Sequence, residues 1–209
     1  MTENQDSPIQ NPKSKIQNPI DLGRLLENSG AILKGHFLLT SGRHSDVYFE
    51  KFRVLEQPHV LSALCAEIAS HFTNETIDYV AGPTTGGIII AFEVARQMGK
   101  PSVYVETENG VKTLRRGKTI PTGSKVLIVD DVLTTGTSLV ETRQAIETAG
   151  GEVVAFGVLI DRSAPDLNLE RPLFGAYKVE AQSFAPDEVP DWLADIPATK
   201  PGTRATAVS

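Results

Sequence analysis

The segment "VLIVDDVLTTGTS", Val126 to Ser138, runs an apolar stretch into two adjacent acids, Asp130 and Asp131, and then into small hydroxyl and glycine residues. Thr134, Thr135, Gly136, Thr137 and Ser138 precede the helix-like "SLVETRQAIETAG". A helix N-terminus offers unpaired amides and a partial positive charge, and so suits a phosphate. Gly136 permits tight curvature there, and the hydroxyls add donors. A single Ser or Thr at this place would serve as a helix cap; four such residues and a glycine after two acids exceed what capping needs. Adjacent carboxylates on an extended chain point to opposite faces, so they cannot form a close dyad. They can flank a ligand, accept from its hydroxyls, order a hydrated Mg²⁺ and favour a developing cation. A ribose phosphate meets both halves, with its phosphate on the loop and its diol on the acids. Substitution at its anomeric carbon passes through a cationic sugar.

Two further stretches fit a polyanion. "GPTTGG", Gly82 to Gly87, is a second small-residue loop that opens a helix; it could hold pyrophosphate, or simply turn a strand into a helix. "VKTLRRGK" carries Lys112, Arg115, Arg116 and Lys118, a basic cluster in a chain of net charge -6. It reads as a lid over an anion or as a solvated loop. Other phosphate motifs fail. The "GKT" at Gly117–Thr119 has Lys112 where a P-loop needs glycine, and no GxGxxG is present.

These loops need a scaffold. "IDLGRLLENSGAIL" is predicted as a short helix, "GHFLLTSGRHSDVYFEKF" as two strands around Ser41-Gly42, and "PHVLSALCAEIASHF" as a helix with apolar residues four apart. "IDYVAGP", "PSVYVE", "KVLIVDD" and "EVVAFGVLIDR" read as strands, separated by the helix "IIIAFEVARQMG", the long polar connection "TENGVKTLRRGKTIPTG" and the helix ending at Gly150. The expected fold is α/β: a mostly parallel twisted sheet flanked by helices, with ligands at the carboxyl ends of its strands. After Asp161 the pattern weakens, and the proline-rich tail is expected to wrap the surface. Residues 1–19 read as a disordered tail and 20–209 as one domain.

Bulk properties exclude several classes. The acidic balance argues against general nucleic-acid binding. One cysteine, Cys65, excludes an internal disulfide framework. No apolar run is long enough to span a bilayer and no leader is evident, so a cytoplasmic protein is expected.

"VLIVDDVLTTGTS" resembles the phosphoribosyl diphosphate motif of type I phosphoribosyltransferases. "SGAILKGHFLLTSGRHSDVYFEK" is similar to the N-terminal segment of orotate phosphoribosyltransferases, as is the spacing to "GPTTGGIIIAFEVA", "LRRG" and "LIDRS". The likeness covers roughly Leu25 to Arg162 and, more loosely, "PGTR". It implies reversible transfer of ribose 5-phosphate from phosphoribosyl diphosphate to orotate, giving orotidine 5-phosphate and diphosphate in pyrimidine (UMP) biosynthesis. It implies Mg²⁺ held mainly through the substrate, with Asp130 and Asp131 the only protein candidates, and a homodimer whose basic loop crosses into the neighbouring site. Asp130, Asp131, Lys112 and Arg116 become catalytic candidates. Asp130, Asp131, Val132, Leu133, Thr134, Thr135, Gly136, Thr137 and Ser138 would bind phosphoribosyl diphosphate, joined by Thr85, Gly86 and Arg115. Thr134 and Arg162 would meet orotate, Arg162 through its carboxylate, with Tyr48 and Phe49 covering the base in a hood built from about 20–55 and part of the C-terminal segment.

The chain departs from the best-known branch in three places. Thr40 and Gly86 stand where that branch has lysines, and the basic loop has no His. A second branch matches "GG" and "LRRG"; it often has a tail cysteine pair, where this chain has Val189 and Trp192, so no metal is expected there. Two rivals remain at this level: a phosphoribosyltransferase for another base, and a non-catalytic sensor of phosphoribosyl diphosphate or nucleotide.

Overall fold

The computed structural model describes residues 20–39, 41–114, 117–179 and 182–201. The expected N-terminal tail (1–19), Thr40, Arg115, Arg116 and most of "PGTR" lie outside the described residues.

A small antiparallel sheet comes first. Asp21 caps helix α1 (Leu22–Asn28), its carboxylate accepting from Arg24 N at 3.0 Å. Gly30, expected near the end of this helix, lies just beyond it with φ 74°, and Ile32 and Leu33 enter strand β1 (Ile32–Leu38). Strand β2 (His44–Phe49) pairs antiparallel with β1, as the turn at Ser41-Gly42 predicts. Helix α2 (Lys51–Leu55) follows at once, capped by Glu50.

The main sheet has six strands in the order β5-β4-β3-β6-β7-β8. Its elements in chain order are α3 (Pro58–His71), β3 (Tyr79–Pro83), α4 (Gly86–Met98), β4 (Ser102–Glu108), β5 (Val111–Leu114), β6 (Lys125–Leu133), α5 (Thr137–Thr148), β7 (Glu152–Asp161) and β8 (Leu173–Lys178). All neighbours pair in parallel except β4 and β5. Two cores result. Leu127 and Val129 of β6 pack with α3 and α4 residues such as Leu64, Ile68, Ile90 and Val94. Val126 and Ile128, on the opposite face, pack with Leu139 and Ile146 of α5. A strand buried on both sides must be apolar at every position, which is why "VLIV" shows no alternation.

Two expectations need correction. The segment read as a long polar connection begins as a hairpin: β4 runs on to Glu108, and Asn109 and Gly110 turn with φ of 51° and 81° into β5. An Asn-Gly pair favours this turn because both positions need positive φ. The weak pattern after Asp161 hides a strand: β8 is the parallel strand beside β7. Strand β9 (Ser183–Phe184) then extends the small sheet at β2, helix α6 (Asp191–Ala194) buries Leu193, and Thr199 exchanges backbone bonds with His36 and Leu38.

Candidate active site

Strands β3 and β6 are neighbours, and each ends by delivering a helix N-terminus at the same edge: α4 after β3, α5 after β6. Asp130 and Asp131 sit at the end of β6. The strand's period of two sends them apart, as expected. Asp130 falls on the α5 side, where its Oδ2 accepts from Ser138 Oγ at 2.8 Å. Asp131 falls on the α4 side: a Cβ built on Gly86 would lie 2.7 Å from Asp131 Oδ2.

Asp130 is 8% exposed. Burial, and then the charge of Asp131, push its carboxyl above the ordinary value; the Ser138 hydroxyl, the Asp131 amide and Lys112 pull it back. Asp131 Oδ1 accepts from Val132 N at 2.7 Å, and Oδ2 accepts from Lys51 Nζ at 2.8 Å.

The loop between β6 and α5 presents bare backbone. Gly136 takes φ 79°, and a Cβ there would meet Leu169 Cδ2 at 2.6 Å, so glycine is required twice over. Thr134, Thr135 and Thr137 are exposed. Among the described residues, the amides of Thr134 to Ser138 donate to no protein acceptor. Thr85 is exposed and Gly86 half-buried at the start of α4, and the amides of Gly86 and Gly87 are likewise unbonded among the described residues. Gly82 and Gly87 are tightly packed, a Cβ on Gly82 falling 2.0 Å from Gly87 O. Both helix starts therefore offer donors, one beside each acid.

Arg162 follows β7, its amide donating to Leu133 O at 2.9 Å. That bond sets the Arg162 backbone beside the start of the same loop. Among the described residues the guanidinium has no hydrogen-bond or carboxylate partner, and Tyr48 is the one titratable group that acts on it. Burial lowers its pKa, and Tyr48 acts in the opposite sense. The phenol of Tyr48 is raised by burial first, then by Glu50, and is lowered by Arg162. The hood strand β2 thus reaches the Arg162 side of the site.

Several candidates take other places than expected. Phe49 is 7% exposed and packs in the core, because it alternates with Tyr48 along β2 and faces away from it. Val132 and Leu133 put their side chains against the two cores, leaving only backbone to a ligand. Lys112 is no loop residue. It lies on β5, and its Nζ donates to Ser138 O (2.8 Å), Ser138 Oγ (2.8 Å) and Thr142 Oγ1 (3.3 Å), which engages all three of its protons. It pins the hairpin to the first turn of α5. Lys51 escaped the sequence reading altogether; the signal available was a cation two residues after strand "HSDVYF".

The chain matches the model of the phosphoribosyl transferase domain over residues 54–186. It is 45% identical over 180 residues to the orotate phosphoribosyltransferase of Pelotomaculum thermopropionicum, covering 86% of this chain and 95% of the relative. It is 43% identical over 190 residues to that of Bartonella henselae, covering 90% and 98%. The crystal structure of orotate phosphoribosyltransferase from Aeropyrum pernix superposes with a TM-score of 0.66 at 30% identity, covering 76% of this chain and 94% of that one. An adenine phosphoribosyltransferase from Saccharomyces cerevisiae, 18% identical with a TM-score of 0.59 over 74% of this chain and 98% of its own, shares the fold.

Proposed function

We propose that this chain, which belongs to the phosphoribosyl transferase domain family and within it to the orotate phosphoribosyltransferases, transfers ribose 5-phosphate from phosphoribosyl diphosphate to orotate in UMP biosynthesis. The observation that carries this reading is the strand end itself: two acids between two helix starts whose amides, like the Arg162 side chain, have no protein hydrogen-bond partner among the described residues.

The 5-phosphate takes the amides and hydroxyls of Thr134 to Ser138. The ribose diol donates to Asp130 and Asp131. The diphosphate lies toward Thr85 and Gly86. Arg162 offers its fork to the orotate carboxylate, with Thr134 and Tyr48 flanking the ring. A bond forms from the orotate ring nitrogen to the anomeric carbon as the bond to diphosphate breaks, its electron pair leaving with the diphosphate and the proton of the ring nitrogen passing to the diphosphate or to water. The sugar carries positive charge in between, and the two carboxylates favour it in a low-dielectric setting. The acids suit Mg²⁺ as water-mediated acceptors, since Asp131 Oδ2 already holds Lys51. When bound, the ion neutralises charge on the leaving diphosphate.

Arg162 favours an acidic base over a purine. We further read residues 20–209 as one domain whose hood includes β9 and the C-terminal segment, acting as a cytoplasmic homodimer. Exposed Phe52 on α2, with Ile89 and Phe92 on α4, supports the dimer. Arg115 and Arg116 are proposed to reach the diphosphate across it. The test is orotate consumption followed by absorbance, with phosphoribosyl diphosphate and Mg²⁺. Orotidine 5-phosphate should accumulate with one diphosphate per turnover. Binding without turnover would make the protein a sensor instead.

A further inference from the structure

Lys51 has a place in the fold that capping and packing do not explain. Glu50 N donates to Ala31 O at 2.8 Å, and the Glu50 carboxylate caps α2. Val54 is buried, and Leu55 Cδ1 lies 3.3 Å from where a Gly86 Cβ would stand. The short helix is therefore fixed between the hood and the start of α4. From its first position Lys51 sends Nζ to Asp131 Oδ2 at 2.8 Å, while its side chain stays 43% exposed against 13% for Asp131. A lysine has three N–H donors, and one is engaged by a protein acceptor among the described residues.

The first turn of α4 needs a cation. Its free amides suit an anion, yet Asp131 stands beside them and repels one. Position 86 supplies no charge of its own here: it is glycine, and a Cβ there would lie 2.7 Å from Asp131 Oδ2. On the other side of the strand end, Lys112 is fully occupied by α5. We infer that Lys51 is a further catalytic residue: it contacts the diphosphate at the start of α4, keeps one N–H on Asp131, and gives its remaining donors to the leaving group. Asp131 then serves the ribose diol without driving the diphosphate away, and the negative charge that grows on the leaving oxygen meets a fixed cation.

This inference rests on the proposed transferase reading. Its test therefore separates the two helix starts, using full-length protein, inorganic diphosphate with Mg²⁺, and ribose 5-phosphate as separate probes in calorimetry. Lys51→Met should weaken diphosphate binding by at least about 10-fold, one charge-assisted hydrogen bond being enough for that. Ribose 5-phosphate binding should stay within about 3-fold, which is below 1 kcal/mol. Lys51→Arg should recover most of the diphosphate affinity. In turnover, the KM for phosphoribosyl diphosphate should rise and kcat fall in Lys51→Met, with the KM for orotate little changed. Diphosphate binding equal to wild type in Lys51→Met overturns the inference. So does an equal loss of both probes, which would mean that Lys51 only orients Asp131. A wild-type protein that binds neither probe defeats the transferase reading, and the role of Lys51 with it.

Discussion

Ser138 Oγ donates to Asp130 Oδ2 across 2.8 Å, so the last turn of strand β6 and the first turn of helix α5 form one polar unit. Lys112 completes it from the edge hairpin by donating to the same hydroxyl and to the Ser138 carbonyl. The loop between β6 and α5 is thus held from below by an acid and from the side by a lysine, while its amides donate to no protein acceptor among the described residues.

That unit sets a pH dependence. Asp130 is held above its ordinary 3.8, so the folded state keeps its proton to higher pH than the unfolded chain does. Ionising it as pH rises through that window costs stability, and losing the charge as pH falls through it costs activity. Ser138→Ala removes the strongest contact favouring the ionised form. The acid limb of kcat/KM for phosphoribosyl diphosphate should move to higher pH in this variant. An unmoved limb would mean that Asp130 is not the titrating group.

Arg162→Ala should raise the KM for orotate by about 100-fold, since it removes a charge-assisted pair worth roughly 3 kcal/mol. The affinity for phosphoribosyl diphosphate should be retained. Steady-state kinetics with each substrate varied separately checks both halves. Unchanged orotate kinetics would remove Arg162 from the base site.

Gly136→Ala meets two obstacles, a φ of 79° and a methyl group 2.6 Å from Leu169 Cδ2. The left-handed backbone alone costs about 1–2 kcal/mol. A lower midpoint in thermal unfolding is expected, together with loss of ribose 5-phosphate binding. A variant that melts and binds as wild type would show that the loop relaxes without glycine.

Glu93 joins the two helices behind the site. It accepts from Arg96 and Gln97 on its own helix and from Ser62 of α3, and the Arg96 contact leads in lowering its carboxyl from 4.5 to about 2. A depressed carboxyl stabilises the fold above its unfolded value and loses that contribution as pH falls toward the folded one. Arg96 is 55% exposed, so solvent screening cuts the contribution of the shift at neutral pH to roughly 1 kcal/mol. Glu93→Gln should therefore be less stable than wild type at pH 7 in urea unfolding, and the gap should close between pH 4.5 and 2. A gap that ignores pH would assign the loss to packing.

The catalytic core of the fold was legible because strands buried on two faces write themselves as unbroken apolar runs, and because "DDVLTTGTS" states both its acids and its helix start in order. The alternation along β6 even sorted Asp130 from Asp131 correctly. The edges were harder to read. β5 and β8 are short border strands, and a long polar stretch masked the Asn109-Gly110 turn that makes β5 a strand. Phe49 was misjudged because adjacency to Tyr48 in sequence means opposition across a strand. Lys51 carried only a weak signal, because its meaning depends on Asp131, which lies eighty positions away. Lys112 looked like a lid cation, but only the packing of β5 on α5 shows where its charge is spent.

The most direct measurement is a crystal structure of the protein with ribose 5-phosphate bound. The phosphate should rest on the amides of Thr135 to Ser138, with the 2- and 3-hydroxyls donating to Asp130 and Asp131. A sugar whose diol lies away from both acids, or a phosphate seated on α4 instead of α5, would contradict the account.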